Sequence, residues 1–205
     1  MSSPDSKTDA FRVSLDQHLL EALVHCWPRL WTWFGNLESI YLREQLDLLT
    51  IDRPVFIAGL ARSGSTILLE CLAKHPHVAT HRYSDFPLIF SPWFSREIER
   101  CAPSPKAPPV ERAHGDGIAI TPDSPEAMEE PLWMAFFKNA HDPATSQVFD
   151  GDVSNEQFEA FYRDHILKLI YIRGGYRYVS KGNYNVTRLG YLRKLFPDAR
   201  IIIPV

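Results

Sequence analysis

The feature that most constrains this chain is a glycine-bearing loop between two apolar stretches. Residues 55–58 form a short apolar run typical of a buried parallel strand, and residues 67–72 form a second run typical of a helix. The loop between them has the spacing Gly59-x4-Gly64-Ser65-Thr66. Glycines at this spacing let backbone N–H groups point inward, and the N-terminus of the following helix adds partial positive charge. The stretch therefore predicts a strand, a phosphate-binding loop and a helix.

One position departs from the loop of nucleotide-hydrolysing proteins. Those loops carry a lysine directly after the second glycine, where it holds the β- and γ-phosphates, but this chain has Ser65 there. The nearest cation is Arg62, inside the loop. We therefore expect a ligand that carries phosphate without being a triphosphate with its magnesium. The alternative is an ordinary strand-to-helix turn with a Ser or Thr cap.

Two segments of the chain resemble the sulfotransferase family. The loop Arg62-Ser63-Gly64-Ser65-Thr66, with its Leu-rich helix and residues 74–78, resembles the family's 5′-phosphosulfate-binding segment. Residues 178–185, followed by residues 192–203, resemble the strand-helix-strand that leads into the 3′-phosphate site. The resemblance implies 3′-phosphoadenosine 5′-phosphosulfate as co-substrate, held by the loop residues Arg62, Ser63, Gly64, Ser65 and Thr66. It also implies that Lys181, after a predicted strand, projects into the sulfate-transfer site.

The order of the predicted elements indicates an α/β domain of three layers over residues 51–205, a P-loop-type parallel sheet flanked by helices. Residues 1–50 are expected to form an N-terminal helical extension. Its first helix starts at a capping box over residues 14–17, and its second spans about residues 29–48. The aromatic residues of the second helix are predicted to pack in the core, the alternative being the acceptor entrance.

Downstream of the loop helix, the pattern predicts strands over residues 78–80, 176–180 and 200–205, and helices near residue 86 and over residues 124–138, 154–172 and 187–196. Residues 101–125 are rich in proline and glycine and are predicted to form a long loop.

The segment after the predicted strand at residues 78–80 is where we look for a base, because ligands of such sheets sit outside the carboxyl ends of the strands. The resemblance implies that a carboxylate or histidine takes a proton from the acceptor, and its register places Tyr83 there. Tyrosine has a reference pKa near 10 and is a poor base at neutral pH, whereas Asp85 or His81 needs no extreme shift. We predict Asp85 as the base and His81 as the alternative; a helix cap is the structural explanation for Asp85.

The predicted helix over residues 124–138 carries Glu129, Glu130 and Trp133. The resemblance implies that such an acidic, aromatic segment faces the acceptor. The alternative is that acidic residues near the start of a helix simply suit its dipole.

The composition and net charge limit the classes of binding partner that we expect. The formal net charge is −3, with 22 basic and 25 acidic residues, so no bulk attraction to nucleic acid is expected. Three cysteines are too few and odd in number for a disulfide framework, and none has zinc-site spacing, so we expect reduced thiols, no metal and a cytoplasmic location. No apolar stretch approaches the ~20 residues needed to span a bilayer, so we expect no membrane partner.

The sequence thus predicts transfer of a sulfuryl group from 3′-phosphoadenosine 5′-phosphosulfate to a hydroxyl or amine of a small molecule, glycan or peptide. Arg62 and Lys181 would stabilise charge on the bridging oxygen, with no metal required. A homo-oligomer is possible on this reading. The alternatives are a P-loop kinase for a small molecule and a non-catalytic, degenerate P-loop module that binds nucleotide or a partner protein. Because the sequence stops inside an apolar strand, it is expected to be the N-terminal portion of a catalytic domain, with the 3′-phosphate-binding residues beyond Val205.

Overall fold

The computed structural model describes residues 26–102, 108–111 and 119–205. Its centre is a parallel sheet of four strands in the order β2-β5-β1-β6, accompanied by a small antiparallel pair, β3 and β4. The strands are β1 (Val55–Ala58), β2 (Val78–Ala79), β3 (Val110–Glu111), β4 (Ala119–Ile120), β5 (Arg177–Gly182) and β6 (Arg200–Ile202). The helices are α1 (Pro28–Tyr41), α2 (Arg43–Leu46), α3 (Ser65–Ala73), α4 (Pro92–Cys101), α5 (Glu130–Phe136), α6 (Glu156–Arg173) and α7 (Leu189–Leu195). Short 3₁₀ helices cover Tyr83–Asp85 and Asn183–Thr187.

Helices cover both faces of the parallel sheet, which confirms the predicted α/β class. On one face, Leu69 of α3 packs in a buried cluster with Ile57 of β1 and Val179 of β5. On the other face, Phe56 and Tyr178 join a larger cluster with residues of α5, α6 and α7. Because neighbouring residues of a strand point to opposite faces, β1 and β5 each contribute to both clusters.

Helix α6 is the main support of the larger core. The side chain of Asn155 caps its start by accepting a hydrogen bond from the N–H of Phe158 at 3.1 Å, and Gly174, in the left-handed conformation with φ +67°, ends it. Trp133 of α5 lies completely buried against α6, with its ring centroid 4.4 Å from that of Phe158. The helix predicted over residues 154–172 is thus confirmed to within two residues at its start and one at its end.

Helix α1 attaches to α6 through a buried ion pair. Nζ of Lys168 lies 3.0 Å from Oε2 of Glu38, and both side chains are fully buried. The lysine also donates to the carbonyl oxygens of Gly35 at 2.9 Å and Phe90 at 3.3 Å. A Cβ at Gly35 would lie 2.6 Å from the Phe161 ring, so glycine permits the close approach of α1.

The prediction that the aromatic residues of this region pack in the core is wrong for much of α1. The buried residues of α1 are Gly35, Glu38 and Ser39, whereas Trp33, Phe34 and Tyr41 are exposed. The reason is that the helix meets α6 through a small residue and an ion pair. The predicted helix beginning near residue 14 lies outside the described residues.

Several predicted boundaries also shift. The helix predicted near residue 86 is replaced by the 3₁₀ turn Tyr83–Asp85, and the next helix begins only at Pro92, a favourable residue for a first turn. The helix predicted from residue 124 begins at Glu130. The last predicted strand ends at Ile202, and the helix predicted from residue 187 begins at Leu189 after a 3₁₀ segment.

Candidate active site

The predicted phosphate loop joins β1 to α3 in the structure. Gly64 adopts φ +78° and Arg62 adopts φ +71°, so two positions of the turn lie in the left-handed region. Such backbone turns are the pattern that builds anion-binding nests. Gly59 is required by packing, because a Cβ there would lie 2.6 Å from Oγ of Ser63 and 2.8 Å from Cγ of Pro204.

The start of α3 fits a phosphate group. Gly64 is the N-cap residue and no side chain caps the helix, so the alternative of a Ser or Thr side-chain cap does not describe this turn. The first N–H groups of an α-helix have no partner within the helix. Oγ of Ser63 is buried without a hydrogen-bond partner among the described residues, and Ser65 is buried at the first position of α3. These groups together offer donors to an anion at a positive helix end.

Lys181 lies at the same edge of the sheet as the loop. It is the register partner of Ile57, and Gly182 is the partner of Ala58, the last residue of β1. Lys181 and Val179 are two residues apart on β5 and therefore share a face of the sheet, the face on which α3 packs. The structure thus brings the lysine to the sheet edge and face from which the phosphate loop emerges. Arg62 is exposed on that loop.

Asp85 is held by the protein on both of its oxygens, with only 2% of the residue exposed. Nη2 of Arg173 donates to Oδ1 at 2.5 Å, and the backbone N–H of Arg82 donates to Oδ2 at 2.8 Å. Burial acts to raise the pKa of Asp85, but His81 and Arg173 outweigh it and the net pKa is lowered. The side chain therefore caps the turn Tyr83–Asp85, and Asp85 also lines a cavity of about 300 Å³ together with Arg173. We expect a structural role for Asp85 from these contacts, and its assignment as the base stays a prediction.

His81, the alternative base, is enclosed as well. It is 2% exposed, its Nδ1 lies 3.4 Å from Oδ2 of Asp85, and its Nε2 lies 3.1 Å from Nε2 of His165. The two imidazole rings stack with centroids 5.0 Å apart. Burial lowers the pKa of His165 well below its ordinary value, with the neighbouring His81 and Lys168 acting in the same direction. Both ring nitrogens of His81 therefore face protein groups.

Beside Lys181 lies a cavity of about 180 Å³, lined among others by Glu129, Glu130, Asn185 and Arg188. Arg188, 2% exposed, holds Glu130 through two hydrogen bonds of 2.9 and 2.6 Å. Sequence reasoning missed this arginine, and it missed Arg173. No local signal marks either residue, because each meets its carboxylate across 58 or 88 positions of the chain.

The described residues contain no group of three or more His, Cys, Asp or Glu side chains placed to hold a metal ion. In the same part of the chain, none of the helices has the length and apolar character needed to cross a membrane. Cys26, Cys71 and Cys101 are exposed and unpaired.

A parallel sheet flanked by helices, whose β1 strand leads through a glycine-bearing loop into α3, defines an α/β protein. Residues 54–205 match the profile of the sulfotransferase family, and the chain belongs to that family. No curated protein matches the sequence significantly.

Two solved structures resemble this chain. Sulfotransferase STF1 from Mycobacterium tuberculosis H37Rv superposes with a TM-score of 0.55 at 16% sequence identity. The match covers 94% of this chain and 54% of the STF1 chain. Sulfotransferase STF9 from Mycobacterium avium gives a TM-score of 0.45 at 12% sequence identity. That match covers 82% of this chain and 47% of the STF9 chain. The likeness to STF1 is one of fold, and the chain spans about half the length of both proteins.

Proposed function

We propose that the protein transfers a sulfuryl group from 3′-phosphoadenosine 5′-phosphosulfate to an acceptor hydroxyl or amine. The observation that carries the proposal is the phosphate loop, which ends at an uncapped helix, has serine at the position of the nucleotide-binding lysine, and leaves Oγ of Ser63 without a partner among the described residues. Family membership supports sulfuryl transfer as the chemistry.

In this proposal the loop binds the donor, and cations of the loop and of strand β5 stabilise the charge that develops during transfer. Loop residues Ser63 to Thr66 bind and orient the 5′-phosphosulfate through backbone N–H groups and hydroxyls. The bound co-substrate supplies the sulfuryl group. Arg62 and Lys181 stabilise the negative charge that develops on the bridging oxygen as its bond to sulfur breaks. These two cations can serve a group that carries less charge than a γ-phosphate, so the proposal requires no metal.

The acceptor classes that fit are small molecules, glycans and peptides. The three exposed, unpaired cysteines fit a reducing compartment and support the cytoplasm as the place of action. A homo-oligomer is compatible with the proposal and is not required by it.

Isothermal calorimetry on the full-length protein tests the donor site. We expect binding of adenosine 3′,5′-bisphosphate that is stronger than binding of ATP and indifferent to magnesium. Arg62→Ala should weaken it, because a cation is lost next to the phosphate. Arg53→Ala is the matched control: this exposed arginine also has a positive φ, +42°, but it precedes β1, at the opposite end of the strand. Tight, magnesium-dependent ATP binding would transfer the proposal to the kinase alternative.

A further inference from the structure

The cavity beside Lys181 contains buried polar groups that the proposed mechanism leaves unused. Glu129 and Arg188 both line it, with 4% and 2% of their surface exposed. Oε2 of Glu129 and Nε of Arg188 have no hydrogen-bond partner among the described residues. Buried polar atoms in native proteins are almost always paired, so two unpaired atoms on residues that line one cavity indicate a ligand with both donor and acceptor character. A hydroxyl group has that character.

The other oxygen of Glu129 is held firmly. The hydroxyl of Tyr162 donates to Oε1 at 2.7 Å, and the hydroxyl of Tyr178 donates to the same atom. Burial raises the pKa of both tyrosines well above its ordinary value, with the Glu129 carboxylate acting in the same direction, so both hydroxyls remain protonated donors. Two donors on Oε1 fix the rotation of the carboxyl group and leave Oε2 as the oxygen free to accept a proton.

The neighbouring carboxylates are already committed to protein groups. Glu130 accepts from Arg188 on both oxygens and lies 2.6 Å from Nε2 of His141. Asp85 is held by Arg173 and by the backbone of Arg82, as described above. Glu129 is therefore the carboxylate that combines an unpaired oxygen with a place on the wall of the cavity at Lys181.

We propose, on the basis of the proposed sulfuryl transfer, that Glu129 is the general base and that this cavity admits the reacting hydroxyl of the acceptor. Oε2 of Glu129 takes the hydroxyl proton while a lone pair of the acceptor oxygen forms the new bond to sulfur. The bond between sulfur and the bridging oxygen breaks, and its electron pair leaves on adenosine 3′,5′-bisphosphate. The N–H at Nε of Arg188 donates a hydrogen bond to the acceptor oxygen and orients it.

The test compares Glu129→Gln with wild type in transfer from 3′-phosphoadenosine 5′-phosphosulfate to two phenols of different acidity. With 2-naphthol, which keeps its proton near neutral pH, kcat should fall by about 10²- to 10⁴-fold, the usual contribution of a general base. With 4-nitrophenol at mildly alkaline pH, where the acceptor is already ionised, the loss should be much smaller. A structural role for Glu129 predicts equal losses for both phenols. If wild type uses neither phenol, Glu129→Gln is compared with wild type in hydrolysis of the donor by water, where its rate should fall by about 10²- to 10⁴-fold and an equal rate would overturn the proposal.

Glu126→Gln is the matched control. Glu126 lies three positions earlier, and, unlike Glu129, it has both oxygens occupied: Oε2 accepts from the hydroxyl of Tyr83 at 2.5 Å and Oε1 accepts from the N–H of Ala127 at 2.7 Å. It does not line the cavity. This variant should keep kcat near the wild-type value for both phenols. Equal kcat in Glu129→Gln and wild type would overturn the proposal.

A second variant covers the case in which Glu129→Gln does not fold. Tyr162→Phe keeps the carboxylate and removes one of the two donors that hold Oε1, so kcat should fall more with 2-naphthol than with 4-nitrophenol. Equal losses with the two phenols would contradict the role of Glu129. Calorimetry separates the two proposals, because loss of adenosine 3′,5′-bisphosphate binding in the wild-type protein would overturn the sulfuryl transfer itself, whereas intact binding with an unaffected Glu129→Gln overturns the base alone.

Discussion

Lys181 on β5 pairs in register with Ile57 on β1, one residue before β1 ends and the phosphate loop begins. Parallel strands bring their carboxyl ends to one edge, so a cation from the second half of the chain arrives beside a loop from the first half.

This relationship predicts that Arg62 and Lys181 act on one developing charge. Arg62→Ala and Lys181→Ala should each lower kcat by about 10²- to 10³-fold, as loss of one preorganised donor does, with a smaller effect on KM for the sulfate donor. The losses should be less than additive in the double variant, because both groups stabilise the same charge. A double-mutant cycle on kcat measures this. Strict additivity, or normal kcat in Lys181→Ala with a lowered Tm, would leave the lysine a structural role.

Asp85→Asn should lower stability without removing turnover per folded molecule. The substitution leaves the partly buried Arg173 beside a neutral partner, and breaking a buried ion pair costs up to about 3–5 kcal/mol. For a chain of this size each kcal/mol lowers Tm by about 2–4 °C, so thermal unfolding followed by circular dichroism will show it. An Asp85→Asn variant with an unchanged Tm and a kcat reduced about 10²-fold would support Asp85 as the base.

Loss of one partner of the buried ion pair between Glu38 and Lys168, as in Lys168→Met, should lower the free energy of unfolding by about 3–5 kcal/mol, because the remaining charge stays buried. The double variant Glu38→Leu/Lys168→Met should recover much of that loss, since no lone charge remains. Denaturant unfolding gives both values. Arg43 and Asp164 form the exposed comparison at 2.7 Å, where Arg43→Ala should cost only about 0–1 kcal/mol. If Lys168→Met lowers the free energy of unfolding no more than Arg43→Ala does, the buried ion pair does not hold α1 in place.

Stability should fall as pH drops below the ordinary histidine value of 6.5, because the pKa of His165 is lowered in the native state. The unfolded chain then takes up a proton that the buried ring does not, so the contribution is full above 6.5 and declines toward the lower native pKa. His165→Gln should reduce the slope of unfolding free energy against pH by up to about 1.4 kcal/mol per unit in this window. His75→Gln, at an exposed ring, is the control. An unchanged slope in His165→Gln would mean that the ring is protonated in the native protein.

The loop and the strands around it could be predicted from the sequence because their signals are local. Gly59 and Gly64 mark the turn, and the apolar runs mark β1 and α3. These features act through neighbouring residues and backbone conformation, so a linear pattern records them. The parallel arrangement follows, since such strands are joined by helices.

Only the tertiary structure decided which carboxylate accepts hydrogen bonds on both oxygens and which keeps one oxygen without a partner among the described residues. Asp85 meets Arg173 across 88 positions, and Oε1 of Glu129 meets Tyr162 and Tyr178 across 33 and 49 positions. No short-range pattern encodes such pairings, because they depend on how α5, α6 and β5 pack together. The exposed aromatic face of α1 has the same origin: Gly35 and Glu38 meet α6 there, and the aromatic residues are left outside.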